Sequence, residues 1–440
     1  MTTPIVDFLR EYSLAENARF HMPGHKGTGF FGCEKYDITE IGGADVLYSA
    51  SGIIAESENN ASSLFGTAHT FYSTEGSTLA IKAMLSLAAQ NMPDHRIVAA
   101  RNCHKAFVYA VGWLGLKVDW IYPENNTVYG SAVTPESIEK AILAGEKPCA
   151  VYITSPDYLG HISDIQGISR VCQKHSVPLL ADNAHGAYTA FLESTLHPIH
   201  LGADACCDSA HKTLPVLTGG AYLHISKNAP ELFCDYARSA LDSFASTSPS
   251  YLILGSLDEC NAYLDGVYRA ELNSIADRVG SLKSRLAMHG YTVLNSDPLR
   301  ISLDTYKFGY SSEEFYAILG GNGIVPEICS DGYAVFMITP DNTESELGLL
   351  ESVLCSQTAG APLKRTAGLV PLPKAEMSIR EAMLAKKCRR PIEDCVGCVC
   401  ASPISSFPPA VPIALCGEII TEEIASLARY YGIEYAEVVL

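Results

Sequence analysis

The 440-residue sequence predicts an α/β protein whose large domain has a mainly parallel sheet covered by helices on both faces. Three observations support this prediction. Strand-like and helix-like segments alternate from residue 96 to residue 225, polar residues follow successive strands, and a different pattern begins after Leu241. The helices between strands are about a dozen residues long, which suits the crossover connections of parallel strands.

Length and composition limit the class of protein. A chain of 440 residues is too long to fold around one small hydrophobic core, so we expect two or three domains. With 48% hydrophobic and 18% charged residues, we expect a well-buried globular protein. The formal net charge of −18 argues against a nucleic-acid or anionic-membrane surface and is compatible with a cationic substrate. The sequence has no signal-peptide pattern and no apolar run of membrane-spanning length, so we expect a cytoplasmic protein.

Most of the 15 cysteines are scattered, and we expect them to be reduced, buried thiols. The exception is Cys395-x-x-Cys398-x-Cys400, with Cys388 upstream. A zinc site needs four ligands at suitable spacing, and no second CxxC or histidine pair follows. The spacing therefore favours structural cysteines, and no metal site is predicted.

A helix is predicted where small hydroxylated residues run into an apolar segment. In the segment Leu79–Ala89, apolar residues are spaced at i, i+3, i+4 and i+7. The first turn contains Gly76, Ser77 and Thr78, whose free N–H groups and positive dipole end would suit a phosphate. An ordinary N-cap would explain the same residues.

The following segments predict alternating strands and helices. Strands are expected at 96–100, 118–122, 150–154, 178–181 and 221–225, and helices at 106–114 and 165–172. Ligands collect at the carboxyl ends of parallel strands. Polar groups stand there in the segments Asn102–His104, Ser155–Tyr158, Asp182–His185 and Ser209–Lys212. Structural loops would more often offer only Gly, Asn and Pro, so the sequence predicts a site at this edge of the sheet.

Lys212 stands in a short polar segment between the small-residue strand at Cys206-Cys207 and a Gly-Gly turn. A lysine buried there would lose stability as the ammonium, so the neutral, nucleophilic amine would become available for a Schiff base. The alternative is that Lys212 is an ordinary lysine in a surface loop. Together with an aspartate, a histidine and a phosphate-binding turn on one sheet edge, Lys212 meets the needs of pyridoxal phosphate.

Beyond Leu241 the sequence predicts smaller α+β domains. Helices are expected within 257–288, 311–319 and 344–356, strands within 291–306 and 323–339, a linker at 357–370, and further helices at 374–387 and 421–432. We predict an N-terminal arm and cofactor-binding major domain at 1–245, a small α+β domain at 246–360 and a C-terminal domain at 361–440.

Several motifs follow one another along the chain: Phe20–Gly27, Asp37–Glu40 with Gly43–Asp45, Glu75–Thr78, Arg101–Lys105, Asp182–His185, Ser209–Lys212 and Phe407–Pro412. In these motifs and their order the chain resembles the ornithine/lysine/arginine decarboxylase family of fold type I pyridoxal-phosphate enzymes, whose fold is like that of aspartate aminotransferase. It is similar to the short form of that family. It departs from the family's pattern after Lys212 and at Ala410 and Cys416. These departures concern the part of the site that would bind the substrate more than the part that would bind the cofactor.

The resemblance implies a role for each candidate site residue. Lys212 would form the Schiff base, Asp182 would face the pyridine nitrogen, and His104 would stack over the ring. The phosphate would be held by Gly76, Ser77, Thr78, Ser209 and His211, and His185 would lie beside the ring. Glu327 would reach the distal cation of the substrate, although an exposed strand-end glutamate explains it equally.

We therefore expect a pyridoxal-phosphate-dependent decarboxylase that converts lysine, ornithine or arginine to the corresponding amine and CO2. Either His211 or Lys212 would protonate Cα. The resemblance also implies a homodimer or a larger homo-oligomer. Two alternatives remain open, namely an aminotransferase or lyase on another amino acid, and a non-catalytic relative that binds the cofactor.

Overall fold

The computed structural model describes the chain except for residues 93–95, 123–128, 130–132, 295–296, 366–369 and 407–410. Part of the Phe407–Pro412 motif therefore lies outside the described residues. The chain forms two compact units. The first comprises Met1–His95, Gly145–Ile153 and Ile165–Ala270, and the second comprises Arg96–Ala144, Thr154–Asp164 and Glu271–Leu440. Within the described residues, no helix has both the length and the apolar character needed to cross a membrane.

The described helices, in chain order, are α1 (Pro4–Leu14), α2 (Ile53–Phe65), α3 (Gly76–Asn91), α4 (Lys105–Leu114), α5 (Pro135–Leu143), α6 (Ile165–Lys174), α7 (Ala210–Thr213), α8 (Glu231–Asp242), α9 (Tyr251–Asp265), α10 (Tyr268–His289), α11 (Thr305–Phe308), α12 (Ser312–Gly321), α13 (Glu344–Cys355), α14 (Ile379–Leu384) and α15 (Glu422–Tyr430). The described strands are β1 (His69–Ser73), β2 (Arg96–Ala100), β3 (Lys117–Ile121), β4 (Ala150–Thr154), β5 (Leu179–Asp182), β6 (Ala205–Asp208), β7 (Ala221–Ile225), β8 (Thr292–Leu294), β9 (Arg300–Asp304), β10 (Ile328–Ser330), β11 (Tyr333–Met337), β12 (Lys387–Pro391), β13 (Ile404–Ser405), β14 (Pro412–Ala414) and β15 (Tyr435–Val439). Short 3-10 helices lie at Leu47–Ser49, Ala187–Phe191 and Ile392–Cys395.

In the first unit the strands are neighbours in the order β1-β7-β6-β5-β4. Strands β5 and β6 pair in parallel, with Asp182 opposite Cys207. Strand β7 pairs antiparallel with both β6 and β1. Helix α3 packs on β7 and β6, and its apolar face is buried. Because β5 and β6 are parallel, their carboxyl ends lie at the same edge of the sheet, which fixes the position of the candidate site.

The second unit contains the parallel pair β2–β3, the four-stranded sheet β10-β11-β9-β8, and the two-stranded sheets β12–β15 and β13–β14. A core of buried apolar residues joins β10 and β11 to the C-terminal elements; its members include Ile328, Val335, Ile392, Ile413, Ile424, Leu427 and Val438. The α/β class predicted from the sequence is confirmed. The division at residues 245 and 360 remains a prediction.

One predicted helix is wrong. The segment 374–387 contains only the short helix α14, which begins after Ser378 and ends at Leu384. Ser378 and Glu381 form a capping box that fixes the start of the helix. Lys387 already belongs to β12, which pairs with the last strand, β15. Pairing between distant segments therefore overrides the local helix pattern.

The N-terminal 75 residues contain regular structure that the sequence pattern does not predict. Helices α1 and α2 and strand β1 all lie there. The start of α1 is held by Asp258, whose Oδ2 accepts the N–H groups of Ile5 and Val6 at 2.9 and 3.0 Å. Pro4 at the first helical position was a usable signal for α1.

A buried ion pair links distant segments of the second unit. Arg101 is 1% exposed and Glu418 is 4% exposed. Nη2 of Arg101 lies 3.5 Å from Oε2 of Glu418, and Nη1 donates to the carbonyl oxygen of Pro412 at 2.8 Å. Burial raises the pKa of Glu418, although the Arg101 guanidinium acts against that shift. The segment 412–418 is thus fixed to residue 101 by charge and hydrogen bonds.

Candidate functional site

The carboxyl ends of β5 and β6 bring together residues from three motifs of the first unit. Nζ of Lys212 lies 3.0 Å from Nε2 of His185, which is a hydrogen-bond distance. The hydroxyl of Ser209 donates to Oγ of Ser77 at 2.8 Å. The structure therefore places the expected Schiff-base lysine against a histidine expected beside the ring, and it joins two of the residues expected to bind the phosphate.

Asp182 is a buried carboxylate, 2% exposed, at the end of β5. Its Oδ2 accepts the hydroxyl of Tyr152 at 3.1 Å, and its Oδ1 accepts the N–H of Ala184 at 3.2 Å. The thiol of Cys207 donates to the same Oδ1 at 3.6 Å. These donors compensate the cost of burying the carboxylate and fix its orientation.

Tyr152 and Cys207 are site residues that the sequence reasoning missed. Both are fully buried within strands, where the sequence shows only an apolar run. Cys207 lies in the small-residue strand that the sequence predicts, but its contact with Asp182 depends on the register of β5 and β6. No local signal in the sequence reports that register.

The burial expected for Lys212 is wrong, because this residue is exposed. Helix α7 is a single turn whose buried residues are Ala210 and Thr213, so Lys212 lies on its open side. Desolvation therefore cannot by itself prepare this amine. The contact with His185 Nε2 at 3.0 Å fixes the position of the amine.

His211 is held by the turn that follows α7. Its Nδ1 lies 3.0 Å from the carbonyl oxygen of Gly220, and a carbonyl can only accept, so Nδ1 carries the hydrogen. Burial lowers the pKa of His211, and neighbouring Lys212 acts in the same direction. Near neutral pH this imidazole is therefore uncharged, with its hydrogen on Nδ1 and a lone pair on Nε2.

The turn at the start of α3 is closed by the Gly-Gly turn before β7. Gly76 has φ of +70°, and its N–H donates to the carbonyl oxygen of Gly219 at 2.7 Å. Gly219 has φ of +100°, and a Cβ there would lie 2.9 Å from the carbonyl oxygen of Thr74. The N–H of Gly76 is thus already engaged. Of its neighbours, Ser77 is half-buried and Thr78 is exposed.

Two predicted site residues, His104 and Glu327, lie in the second unit. His104 is the N-cap of α4, and its Nδ1 accepts the N–H of Ala106 at 3.1 Å. Glu327 is exposed and accepts the hydroxyl of Tyr158 at 2.7 Å. It borders a pocket of about 410 Å³ in that unit, whose lining includes Pro326, Met337 and Asn342.

A buried cluster below the strand ends was not expected from the sequence. Oδ2 of Asp208 lies 3.0 Å from Nε2 of His197 and 3.1 Å from Nε2 of His224. Its Oδ1 accepts the amide of Asn183 at 2.7 Å. Burial alone would raise the pKa of Asp208, but the two histidines hold it well below its usual range. The cluster fixes residues next to both Asp182 and Ser209.

The groups at this edge of the first unit fit a cofactor that carries an aldehyde, a basic ring nitrogen and a phosphate. Lys212 offers an amine, and Asp182 offers a buried, oriented carboxylate. Ser77 and Ser209 offer hydroxyls beside the first turn of α3, where helix geometry favours an anion. A Cβ at Gly219 would disturb this turn. The donor set and the shape of the turn therefore suit such a group.

The chain is similar to known proteins. Residues 3–294 match the family described as Orn/Lys/Arg decarboxylase, major domain. The chain is 28% identical over 454 residues to an arginine decarboxylase of Bacillus subtilis, covering 96% of this chain and 92% of that protein. It is 29% identical over 454 residues to an arginine decarboxylase of Halalkalibacterium halodurans, covering 96% of this chain and 91% of that protein.

Solved structures share the fold. The lysine decarboxylase LdcF of Francisella novicida superposes with a TM-score of 0.80 at 18% identity, covering 100% of this chain and 81% of that chain. Serine palmitoyltransferase of Sphingomonas wittichii superposes with a TM-score of 0.57 at 15% identity, covering 80% of this chain and 83% of that chain. The predicted fold type is confirmed by these similarities.

Proposed function

The chain belongs to the Orn/Lys/Arg decarboxylase family, and from that premise we propose that it removes the α-carboxylate of arginine with the help of pyridoxal phosphate. The relatives that match over nearly their whole length and have a named activity are arginine decarboxylases, which favours arginine over lysine and ornithine. The single observation that carries the proposal is the contact of Lys212 with His185, at the sheet edge that ends in the buried carboxylate of Asp182.

Residues of the first unit would hold the cofactor. Lys212 would bind its aldehyde carbon, and Asp182 would pair with its ring nitrogen. Ser77 and Ser209, together with the first turn of α3, would bind its phosphate. When bound, pyridoxal phosphate supplies an electron sink for the electron pair left at Cα as the carboxylate departs.

The protein's own residues orient groups and move protons around that centre. The donors from Tyr152 and Ala184 keep Asp182 in one orientation, so that its negative charge favours a proton on a ring nitrogen beside it. The contact of His185 Nε2 with Nζ of Lys212 at 3.0 Å keeps the amine at the strand ends, where it would meet the cofactor's aldehyde.

Lys212 is the better of the two proposed proton donors to Cα. His211 is uncharged near neutral pH, and its hydrogen on Nδ1 is engaged by the carbonyl oxygen of Gly220. Its Nε2 therefore has no hydrogen to give. The amine of Lys212 can carry a hydrogen and lies on the open side of α7.

The assembly we propose is a homodimer or a larger homo-oligomer. Large apolar side chains near the N-terminus are exposed in the single chain, with Phe20 at 95%, Met22 at 69%, Phe30 at 101% and Phe31 at 89%. Exposed apolar groups gathered in one segment are typical of a surface covered by another chain.

The proposed activity is tested by CO2 release from arginine, lysine and ornithine in the presence of pyridoxal phosphate. We expect arginine to give the highest kcat/KM and agmatine as its product. Amino transfer to a 2-oxo acid without CO2 release would contradict the proposal and favour an aminotransferase. Cofactor binding with neither product would favour a non-catalytic relative.

Glu327→Gln is expected to raise KM for arginine about tenfold with little change in kcat, because a charge-assisted hydrogen bond to a guanidinium contributes about 1.5–3 kcal/mol. Steady-state kinetics with arginine measures both constants. Tyr158→Phe is the matched variant, since it removes the hydroxyl that contacts Glu327 and keeps the carboxylate. It should change KM less than Glu327→Gln does. Unchanged KM values in Glu327→Gln would exclude this residue from substrate binding.

A further inference from the structure

Residues Cys395, Val396, Gly397 and Cys398 form a tight β-turn in the second unit. The N–H of Cys398 donates to the carbonyl oxygen of Cys395 at 2.9 Å. Val396 has φ −61° and ψ 128°, and Gly397 has φ +83°, which are the angles of a type II turn. Glycine fits the left-handed third position of such a turn.

This turn holds the two cysteines at a separation that suits a disulfide. The first and fourth Cα atoms of a β-turn lie within about 7 Å, and disulfides span about 4.4–6.8 Å between Cα atoms. The backbone of the turn is also anchored to a neighbouring segment. The N–H of Gly397 donates to the carbonyl oxygen of Ile420 at 2.8 Å, and the N–H of Ile420 donates to that of Cys398 at 2.9 Å.

The two thiols have different environments. Cys398 is half-buried, whereas Cys395 is buried, and its Sγ lies 3.2 Å from the carbonyl oxygen of Pro391. Burial raises the pKa of Cys395, and the neighbouring Cys398 acts in the same direction. Cys398 is thus the thiol that a small oxidant reaches first, and Cys395 is the partner held close to it.

An arginine adds positive charge to this cluster. Nε of Arg390 donates to Sγ of Cys388 at 3.2 Å. This hydrogen bond and the thiols of Cys388, Cys398 and Cys395 raise the pKa of Arg390. A guanidinium near a thiol favours the reactive thiolate form. Among the described residues, the set of ligand atoms that converges closely enough for a metal is His197, Asp208 and His224, not these thiols.

We propose that Cys395 and Cys398 are a redox modification site that interconverts between a dithiol and a disulfide, with a peroxide as the oxidant. The Cys398 thiolate attacks one peroxide oxygen, the O–O bond breaks, and a sulfenic acid and water form after protonation. The Cys395 sulfur then attacks the Cys398 sulfur, the S–O bond breaks, and a second water leaves as the S–S bond forms. Both sulfurs are oxidised, and hydrogen peroxide is reduced to water. A thiol reductant reverses the bond.

The test uses the cofactor-loaded full chain treated with limiting hydrogen peroxide, followed by N-ethylmaleimide and peptide mass spectrometry. We expect the peptide that contains Cys395 and Cys398 to lack both alkyl groups and to be lighter by two hydrogen atoms. Dithiothreitol before alkylation should restore two alkyl groups. Cys398→Ser should abolish the lighter species.

Arg390→Gln tests the role of the guanidinium and should slow disulfide formation about threefold or more, because the positive charge beside the sulfur atoms is lost. Arg389→Gln is the matched control. Side chains alternate along a strand, and Arg389 instead lies 4.4 Å from the ring of Tyr435, so its removal should leave the rate unchanged.

Several results would overturn the proposal. They are full alkylation of both cysteines after peroxide treatment, a bridge from Cys388 to Cys398, and a stoichiometric zinc ion bound by these thiols. Equal oxidation rates for the two arginine variants would overturn the role given to Arg390.

Discussion

Lys212→Ala is expected to abolish CO2 release from arginine, with kcat/KM falling by roughly a thousandfold or more. The same substitution should remove the absorbance of the lysine-bound cofactor. The reason is that Lys212 is the amine placed at the strand ends, 3.0 Å from His185 Nε2, and we assign it both the covalent bond and the proton donated to Cα. Stopped-flow absorbance and a CO2 assay measure the two effects separately.

Two further variants distinguish the loss of the reactive amine from a change in the protein's structure. Lys212→Arg keeps the positive charge and the length of the side chain, but a guanidinium cannot become a neutral nucleophile, so it should be as inactive as alanine. Lys227→Ala removes an exposed lysine just after β7 in the same unit and should leave activity unchanged. An active Lys212→Arg variant would contradict the assignment.

Asp182→Asn is expected to lower kcat for arginine by about a hundredfold or more, with a smaller effect on KM, because the charge that favours a protonated ring nitrogen is lost. The amide retains the shape of the carboxylate and can still accept from Tyr152. The unfolding midpoint, measured alongside the kinetics, should therefore move far less than activity does.

Asp204→Asn is the matched control for Asp182→Asn. Asp204 stands just before β6, at the end of that strand away from the candidate site, and its carboxylate accepts the N–H of Leu179 at 2.8 Å. Burial raises the pKa of Asp204 to about 6. Its amide variant should keep normal kcat. Similar losses in both variants would indicate that Asp182 has only a structural role.

The site edge was predictable because its signals are local. The apolar runs at 96–100, 150–154 and 221–225 match β2, β4 and β7, and each is bounded by residues that end a strand. Parallel pairing of β5 with β6 then places Asp182 and Ser209 at one edge, as expected. The order of the strands and helices, and the identity of the residues that follow each strand, are enough to predict this edge.

The features of the site that could not be predicted depend on contacts between distant segments. The cluster of His197, Asp208 and His224 forms only because β7 pairs antiparallel with β6, with Cys206 opposite His224. Lys212 is exposed because α7 is a single turn whose buried side carries Ala210 and Thr213. Neither the register of paired strands nor the orientation of a single helical turn can be predicted from residue types alone.

The Arg101–Glu418 pair also restricts how this sequence can change over evolution. The two residues are 317 positions apart, and both are buried. Loss of either partner alone would leave an unpaired buried charge, at a cost of about 3–5 kcal/mol, whereas replacing both together by apolar residues of similar volume can be nearly neutral. Single mutations at these positions are thus disfavoured, and a chimera that joins the N-terminal part of this chain to the C-terminal part of a relative should inherit both positions from one parent.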